Sequence, residues 1–187
     1  SSPGPSFWKI RRMSRYIREH IPDVKFGICH GSRRGDEQRD FRKLLNIDVI
    51  GTDISRTATQ FPNTIQWDFH EVKEEWLDNV CFVFSNSLDH SYDPVKCLRA
   101  WMSCIKPEGK IFVQRGPDDR PEVQTGARPR TPAADMFQAT DEVFHKIVNI
   151  AGEDKWEAIQ PDKFIFRGAH TRSPKALKSV VVLQRKK

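Results

Sequence analysis

The apolar positions of the chain follow a helical period first and a strand period next. Phe7, Ile10, Met13, Tyr16 and Ile17 recur at helical spacing, with Lys9, Arg11, Arg12, Arg15 and Arg18 between them. This predicts a basic amphipathic helix over Phe7–His20 that stops before Pro22. The run Lys25–His30 reads as a strand, broken by Gly31-Ser-Arg-Arg-Gly35, a turn whose glycines let backbone approach a ligand closely. A helix starts there: Asp36 and Glu37 suit its first turn, Arg42 and Lys43 its end, and Phe41, Leu44 and Leu45 one apolar face. Val49–Gly51 is the next strand, and Asp53 follows at its carboxyl end. A third strand, Thr64–Trp67, runs into Asp68 and Phe69, and a helix is expected from about Glu71 to Leu77. Val80–Ser85 is almost continuously apolar, as a central strand buried on both faces must be.

The polar loop Asn86–Pro94 closes on a helix start, with Asp93 as N-cap and Pro94 at the first helical position. Val95, Leu98, Trp101, Met102 and Ile105 form the apolar face of that helix, Lys106-Pro-Glu-Gly109 ends it, and Lys110–Gln114 is a strand. Gly116–Ala134 carries Pro, Gly, Arg and Asp without periodicity and reads as a lid or a disordered segment. Thr140 caps a further helix, with Val143, Phe144, Ile147, Val148 and Ala151 on one face and Gly152 as its stop. Trp156–Ile159, Phe164–Arg167 and Ser179–Gln184 are expected as the last strands, paired antiparallel. The strand, glycine turn, helix and strand of Lys25–Ser55 make half of a nucleotide-binding βαβ unit. In such a unit the turn lies under a ligand and the acid after the second strand accepts hydrogen bonds from ribose hydroxyls.

Composition narrows the picture only a little. A chain of 187 residues suits one α/β domain, here 7–187 behind a flexible lead of residues 1–6. Thirty-one Lys and Arg against 25 Asp and Glu give a formal charge of +6, which permits an anionic partner such as RNA on the basic first helix without demanding one. A solvated helix face is the plainer reading of those arginines. No apolar run approaches membrane-spanning length, so no membrane association is expected and the expected location is intracellular, in the cytoplasm. Cys29, Cys81, Cys97 and Cys104 show no C-x-x-C or paired His spacing, which favours reduced core thiols over a metal site or disulfides.

Together these motifs resemble the class I S-adenosylmethionine-dependent methyltransferases, closely over about Val24 to Gln114 and by element order beyond. Gly31–Gly35 and Asp53 match the family's first two cofactor motifs, and Asp68-Phe69 matches the place where an acid takes the adenine amine and its neighbour packs on the ring. Ser85–Pro94 and Lys106–Gly109 match the loop bordering the methyl group and the turn before the fifth strand. The run Cys29-His30-Gly31, with two arginines before Gly35, departs from the family's acid and G-x-G-x-G, and the G-x-G-x-x-G of a dinucleotide site is missing too. The resemblance implies a Rossmann-like three-layer sandwich, with a mostly parallel seven-stranded sheet and an antiparallel last strand. It implies S-adenosyl-L-methionine as cofactor and His30, Gly31, Ser32, Gly35, Asp53, Asp68, Phe69 and Ser85 as the residues around it.

Each candidate has a plainer alternative. Gly31 also serves a tight turn, Asp53 and Asp68 a turn or cap, and His30 a strand end satisfied by backbone. Asp89 and His90 are the acid and histidine of the loop expected over the site. His90 there acts either as general base toward an acceptor hydroxyl or, with Asp89, only orders the loop before Pro94. Arg33 and Arg34 bind an anionic substrate or cofactor carboxylate, or are simply solvated. No Asn/Asp-Pro-Pro-aromatic motif and no Pro-Cys pair occurs after the fourth strand, and Ser85 stands where ribose methyltransferases of RNA place an acid. Oxygen methylation of a small molecule or of RNA is the default expectation for the acceptor. The competing expectations are a catalytically inactive domain used as an RNA-binding or scaffold module, and a nicotinamide enzyme.

Overall fold

The structure, a computed structural model, describes residues 5–116, 140–167 and 177–187. Every residue of β4 (Val80–Ser85) is buried. This strand lies between β1 (Phe26–His30) and β5 (Ile105–Arg115), parallel to both. On the far side of β1 lie β2 (Asp48–Asp53) and β3 (Thr64–Gln66), also parallel. Beyond β5 come β8 (Leu177–Arg185) and then β6 (Trp156–Ile159), in the order β3-β2-β1-β4-β5-β8-β6. Only β8 runs against the rest, so the antiparallel last strand expected from the sequence is present. The sheet has seven strands in that order and an eighth off it, the short β7 (Ile165–Arg167) expected from Phe164–Arg167, which pairs with β8 beyond the end of β6. The strand order reverses between β1 and β4, which opens a crevice beyond their carboxyl ends.

Side chains alternate across the sheet and build a core on each face. Phe82, Phe84 and Phe112 pack with Ile10, Met13 and Ile17 of α1 (Pro5–His20) and Phe41 of α2 (Asp36–Leu45). Val83, Ile111 and Val113 pack with Leu98 and Trp101 of α3 (Pro94–Cys104) and Phe144 and Val148 of α4 (Asp141–Ala151). The four cysteines are free and buried. Among the described residues, no helix is long and apolar enough to cross a membrane.

The structure moves several boundaries. Helix α1 starts at Pro5, taking in residues assigned above to a flexible lead, with the proline at the first helical position where its missing N–H costs nothing. Its arginines also help to dock it: Arg18 donates to the Leu44 carbonyl at 2.8 Å, and Arg12 lies 5.4 Å from the Phe166 ring centre. Glu71–Leu77 forms no α-helix, only the single 3₁₀ turn Glu74–Trp76. The Trp67 indole N–H takes the Glu71 carbonyl at 2.9 Å, the acceptor that a first helical turn would use. Lys106–Gly109 is a bulge inside β5, since Ile105 faces Val80 and Lys110 faces Phe82. The Arg185 guanidinium donates to the carbonyls of Ile105, Lys106 and Pro107 there, at 2.8, 2.7 and 3.0 Å. The segment read as a lid or disordered, Gly116–Ala134, lies outside the described residues apart from Gly116.

Strand β2 must pass close under the glycine turn. A Cβ on Gly51 would sit 2.3 Å from both Gln38 Nε2 and Ser32 Oγ, and Gln38 is pinned by a 2.8 Å bond to Thr64 Oγ1. Gly51→Ala is therefore expected to destabilise the fold by about 1–3 kcal/mol, the usual cost of overpacking. Urea titration should show a lower midpoint with an unchanged slope.

Candidate functional site

The two strands at the crevice end level, with His30 opposite Ser85, and serine hydroxyls join the glycine turn after β1 to the loop after β4. The Ser85 hydroxyl donates to the His30 carbonyl at 3.0 Å and accepts the Ser87 N–H at 3.1 Å. The Ser87 hydroxyl lies 3.3 Å from the Gly31 carbonyl. Gly31 has φ 67°, the left-handed region, and a Cβ there would lie 2.6 Å from Ser87 Cβ and Oγ. The glycine is required by the approach of the β4 loop as well as by the turn.

Beyond this join lies a cavity of about 290 Å³. It opens between the glycine turn, the end of β2, the segment after β3 and the loop after β4. Asp53 and Asp68 both line it, with Ile54, Trp67 and Phe69 as apolar wall and Arg33, His90 and Tyr92 at other points of the lining. Asp53 Oδ1 accepts the Ser55 N–H at 2.9 Å, closing a turn with its own backbone, and Oδ2 accepts the Arg33 N–H of the glycine turn at 3.0 Å. A carboxylate oxygen has two lone pairs, so each retains acceptor capacity.

Asp68 repeats the device. Its Oδ1 accepts the His70 N–H at 2.9 Å and lies 2.7 Å from His70 Nδ1. On the other side of the ring, His70 Nε2 is 2.7 Å from Ser91 Oγ, and Tyr92 stacks on the imidazole with centroids 3.8 Å apart. Desolvation pushes the Asp68 carboxyl up, but the His70 backbone and ring, with Lys96 beyond, outweigh it and leave it below its ordinary value. The segment is held from behind by the Trp101 indole, which donates to the Phe69 carbonyl at 2.9 Å.

Of the residues singled out from sequence, the structure brings Gly31, Asp53, Asp68, Phe69 and His90 together around the cavity, along with Arg33. His30, Ser32, Gly35 and Ser85 lie outside its lining. His30 is buried, with Nδ1 2.8 Å from Thr52 Oγ1 and its ring stacked on Trp101. Ser32 and Gly35 face Gln38 beneath the turn, and the Ser85 hydroxyl serves the strand ends. Asp89 lies beside the site, 3.9 Å from His90 Nε2. His70, Ser91 and Tyr92 are not among the residues that the sequence singles out. The sequence signal for His70 is the Asp68-Phe69-His70 spacing at a strand end, which fits a carboxylate that bonds the backbone two residues on.

No protein-family model matches the chain, and no curated protein does. Solved structures do. The plantazolicin methyltransferase BpumL, solved in complex with SAH, is 11% identical with a TM-score of 0.68, over 96% of this chain and 85% of that one. The 1,6-didemethyltoxoflavin-N1-methyltransferase of Burkholderia thailandensis, with bound 1,6-didemethyltoxoflavin and S-adenosylhomocysteine, is 13% identical with a TM-score of 0.63, over 95% and 78%. The CMeT domain of the citrinin polyketide synthase is 11% identical with a TM-score of 0.62, and the present chain, 94% of which aligns, spans 52% of that one. At such identities the likeness is one of fold: the chain has the Rossmann-like fold of the class I methyltransferases.

One buried group in this region carries a pH signature. Burial pushes the His30 imidazole from 6.5 down to about 3. Below pH 6.5 the unfolded chain therefore binds a proton that the folded chain refuses, and stability falls as the pH drops from 6.5 toward 3. At about 1.4 kcal/mol per pH unit, His30 accounts for a loss of roughly 2 kcal/mol between pH 6.5 and 5. His30→Gln should flatten the pH dependence of the urea-derived stability by that amount, whatever it costs at neutral pH.

Proposed function

We propose that the cleft holds S-adenosylmethionine and that the protein transfers its methyl group to a hydroxyl of a small-molecule acceptor. The observation that carries this reading is the pair of carboxylates, Asp53 and Asp68, lining one mostly apolar cavity at the reversal of the strand order. The residues fit a nucleoside. The cavity of about 290 Å³ lies at the lower end of the usual range for ligand sites. Asp53 would take ribose hydroxyls, Asp68 the adenine amine, and Ile54, Trp67 and Phe69 the faces of the base. When bound, the cofactor supplies an electrophilic methyl group on a positively charged sulfur.

The chain's own part is placement and proton removal. His90 lines the cavity from the loop after β4, with its side chain 43% exposed, so a ring nitrogen can meet an entering acceptor. As a neutral imidazole it would take the hydroxyl proton as the oxygen becomes the nucleophile, with Asp89 beside it to favour the imidazolium that results. The glycine turn and the hydroxyls of Ser85 and Ser87 fix this loop relative to the cofactor side, which supplies the positioning on which a displacement reaction depends. Acceptors of neighbouring structures, such as 1,6-didemethyltoxoflavin, support a small molecule over RNA. The docking of Arg12 and Arg18 onto the body of the protein points the same way.

Titration calorimetry should detect binding of S-adenosylhomocysteine. Asp53→Ala should weaken it by about 10- to 100-fold, the value of a charge-assisted hydrogen bond or two. A folded protein that shows no binding at millimolar ligand would overturn this reading. Once an acceptor is identified by a methyl-transfer screen, His90→Ala should lower turnover by roughly a hundredfold while leaving cofactor affinity unchanged. A small, pH-independent loss would instead assign His90 to loop order.

A further inference from the structure

Resting on the adenosyl reading of the cleft, we infer that His70 is a positioning residue that makes the site selective for a 6-amino purine. It does so by holding Asp68 as an anion with one oxygen given over to the ligand. The hydrogen bonds fix the tautomer. Ser91 Oγ lies 2.7 Å from His70 Nε2 and accepts the Asp93 N–H at 3.2 Å. An ionised Asp68 can only accept, so Oδ1 at 2.7 Å takes the Nδ1–H, and in the neutral ring Nε2 is left to accept the Ser91 hydroxyl. The ring has little freedom to do otherwise, being 4% exposed and stacked on Tyr92, and Ser91 is 1% exposed.

The consequence falls on the second carboxylate oxygen. Asp68 Oδ1 already receives two donors, both from His70, whereas among the described residues Oδ2 receives none. Asp68 lines the cavity, so Oδ2 is the acceptor that remains for a ligand. An ionised carboxylate can only accept. It pairs with the N–H of a 6-amino group and meets the lone pairs of a 6-oxo group unfavourably. Were His70 unable to donate, Oδ1 would keep only the backbone N–H, so the carboxyl would be held less firmly in its orientation and its ionised form and could more readily offer a donor to an oxo group. Selectivity thus resides in His70 through Asp68. The same ring ties the purine end of the cleft to Ser91, in the loop that carries His90.

Calorimetric binding of S-adenosylhomocysteine and of S-inosylhomocysteine, which has a carbonyl in place of the amine, tests this in the intact chain. The wild-type protein should prefer the adenosyl ligand by about ten- to a hundredfold. In His70→Asn the amide nitrogen can stand near the Nδ1 position and keep the donor to Asp68, so most of the preference should survive. In His70→Gln the amide reaches toward Ser91 instead, and the preference should collapse to within about threefold, mainly through weaker adenosyl binding. Retained preference in His70→Gln, or equal loss in both variants, overturns the inference while leaving the cofactor reading intact. A wild-type chain that binds neither ligand overturns both. Nitrogen-15 shifts of the His70 ring give a readout that does not depend on how the variants fold. A protonated Nδ1 with a bare Nε2 is expected, and the opposite tautomer in the neutral ring overturns the assignment.

Discussion

The site depends on the level ending of β1 and β4. Two adjacent parallel strands that stop at the same height leave carbonyls and N–H groups without sheet partners, and here serine hydroxyls meet part of that need. Ser85 bridges the His30 carbonyl and the Ser87 N–H, while fully buried itself. Its hydroxyl both donates and accepts, which no apolar side chain of similar size could do, so an otherwise apolar strand must end in a polar residue. With those groups satisfied, the glycine turn and the β4 loop can lie in contact, and Gly31 is left with no room for a side chain.

The opposite wall of the cleft is held differently. The segment after β3 has no helix to stabilise it, and instead its backbone is tied by side chains from several directions. The Trp101 indole reaches the Phe69 carbonyl from α3, the Trp67 indole reaches the Glu71 carbonyl, and Lys96 pairs with Glu71 at 2.6 Å. The Lys96 pair is exposed and counts for little, whereas the Trp101 bond is made by a side chain only 1% exposed. A wall built this way is fixed by the packing of α3, so the core on that face sets the position of the purine end of the cleft. The seam at the strand ends sets the position of the glycine turn. Two supports, joined through His70 and Ser91, thus hold the two carboxylates at their places in the cleft.

How much of this is legible in the sequence depends on the range of the forces involved. Strand and helix order is legible because apolar periodicity is local, and Asp93 and Pro94 announce α3 by capping chemistry that acts over a few residues. The Lys106–Gly109 bulge reads in sequence as a plain turn because the carbonyls it leaves open are met by Arg185, some eighty residues away. The missing helix after β3 has a related cause. Its apolar and acidic residues suit a helix locally, and what overrides them is a tryptophan bonding a carbonyl of the segment. Asp53 and Asp68 stand out because strand-end acids are conspicuous in a βαβ pattern. His70 does not, because its meaning comes from Ser91, which lies beyond β4 in sequence.

The plainer readings of Asp53 and Asp68 as turn acids are also true of them. Each carboxylate closes a turn with the N–H two residues on, and each lines the cavity. These roles do not compete, because a carboxylate has about four acceptor positions and the backbone bonds use only some of them. The backbone bonds also have an effect on the rest. N–H donors favour the ionised form, and at Asp68 the His70 backbone N–H acts in that direction together with the His70 ring and Lys96. An acid neutralised by an arginine would have most of its acceptor capacity occupied and its field cancelled. Held largely through backbone N–H groups instead, Asp53 and Asp68 keep lone pairs facing a mostly apolar cavity, where a ligand hydroxyl or amine finds little competing solvent.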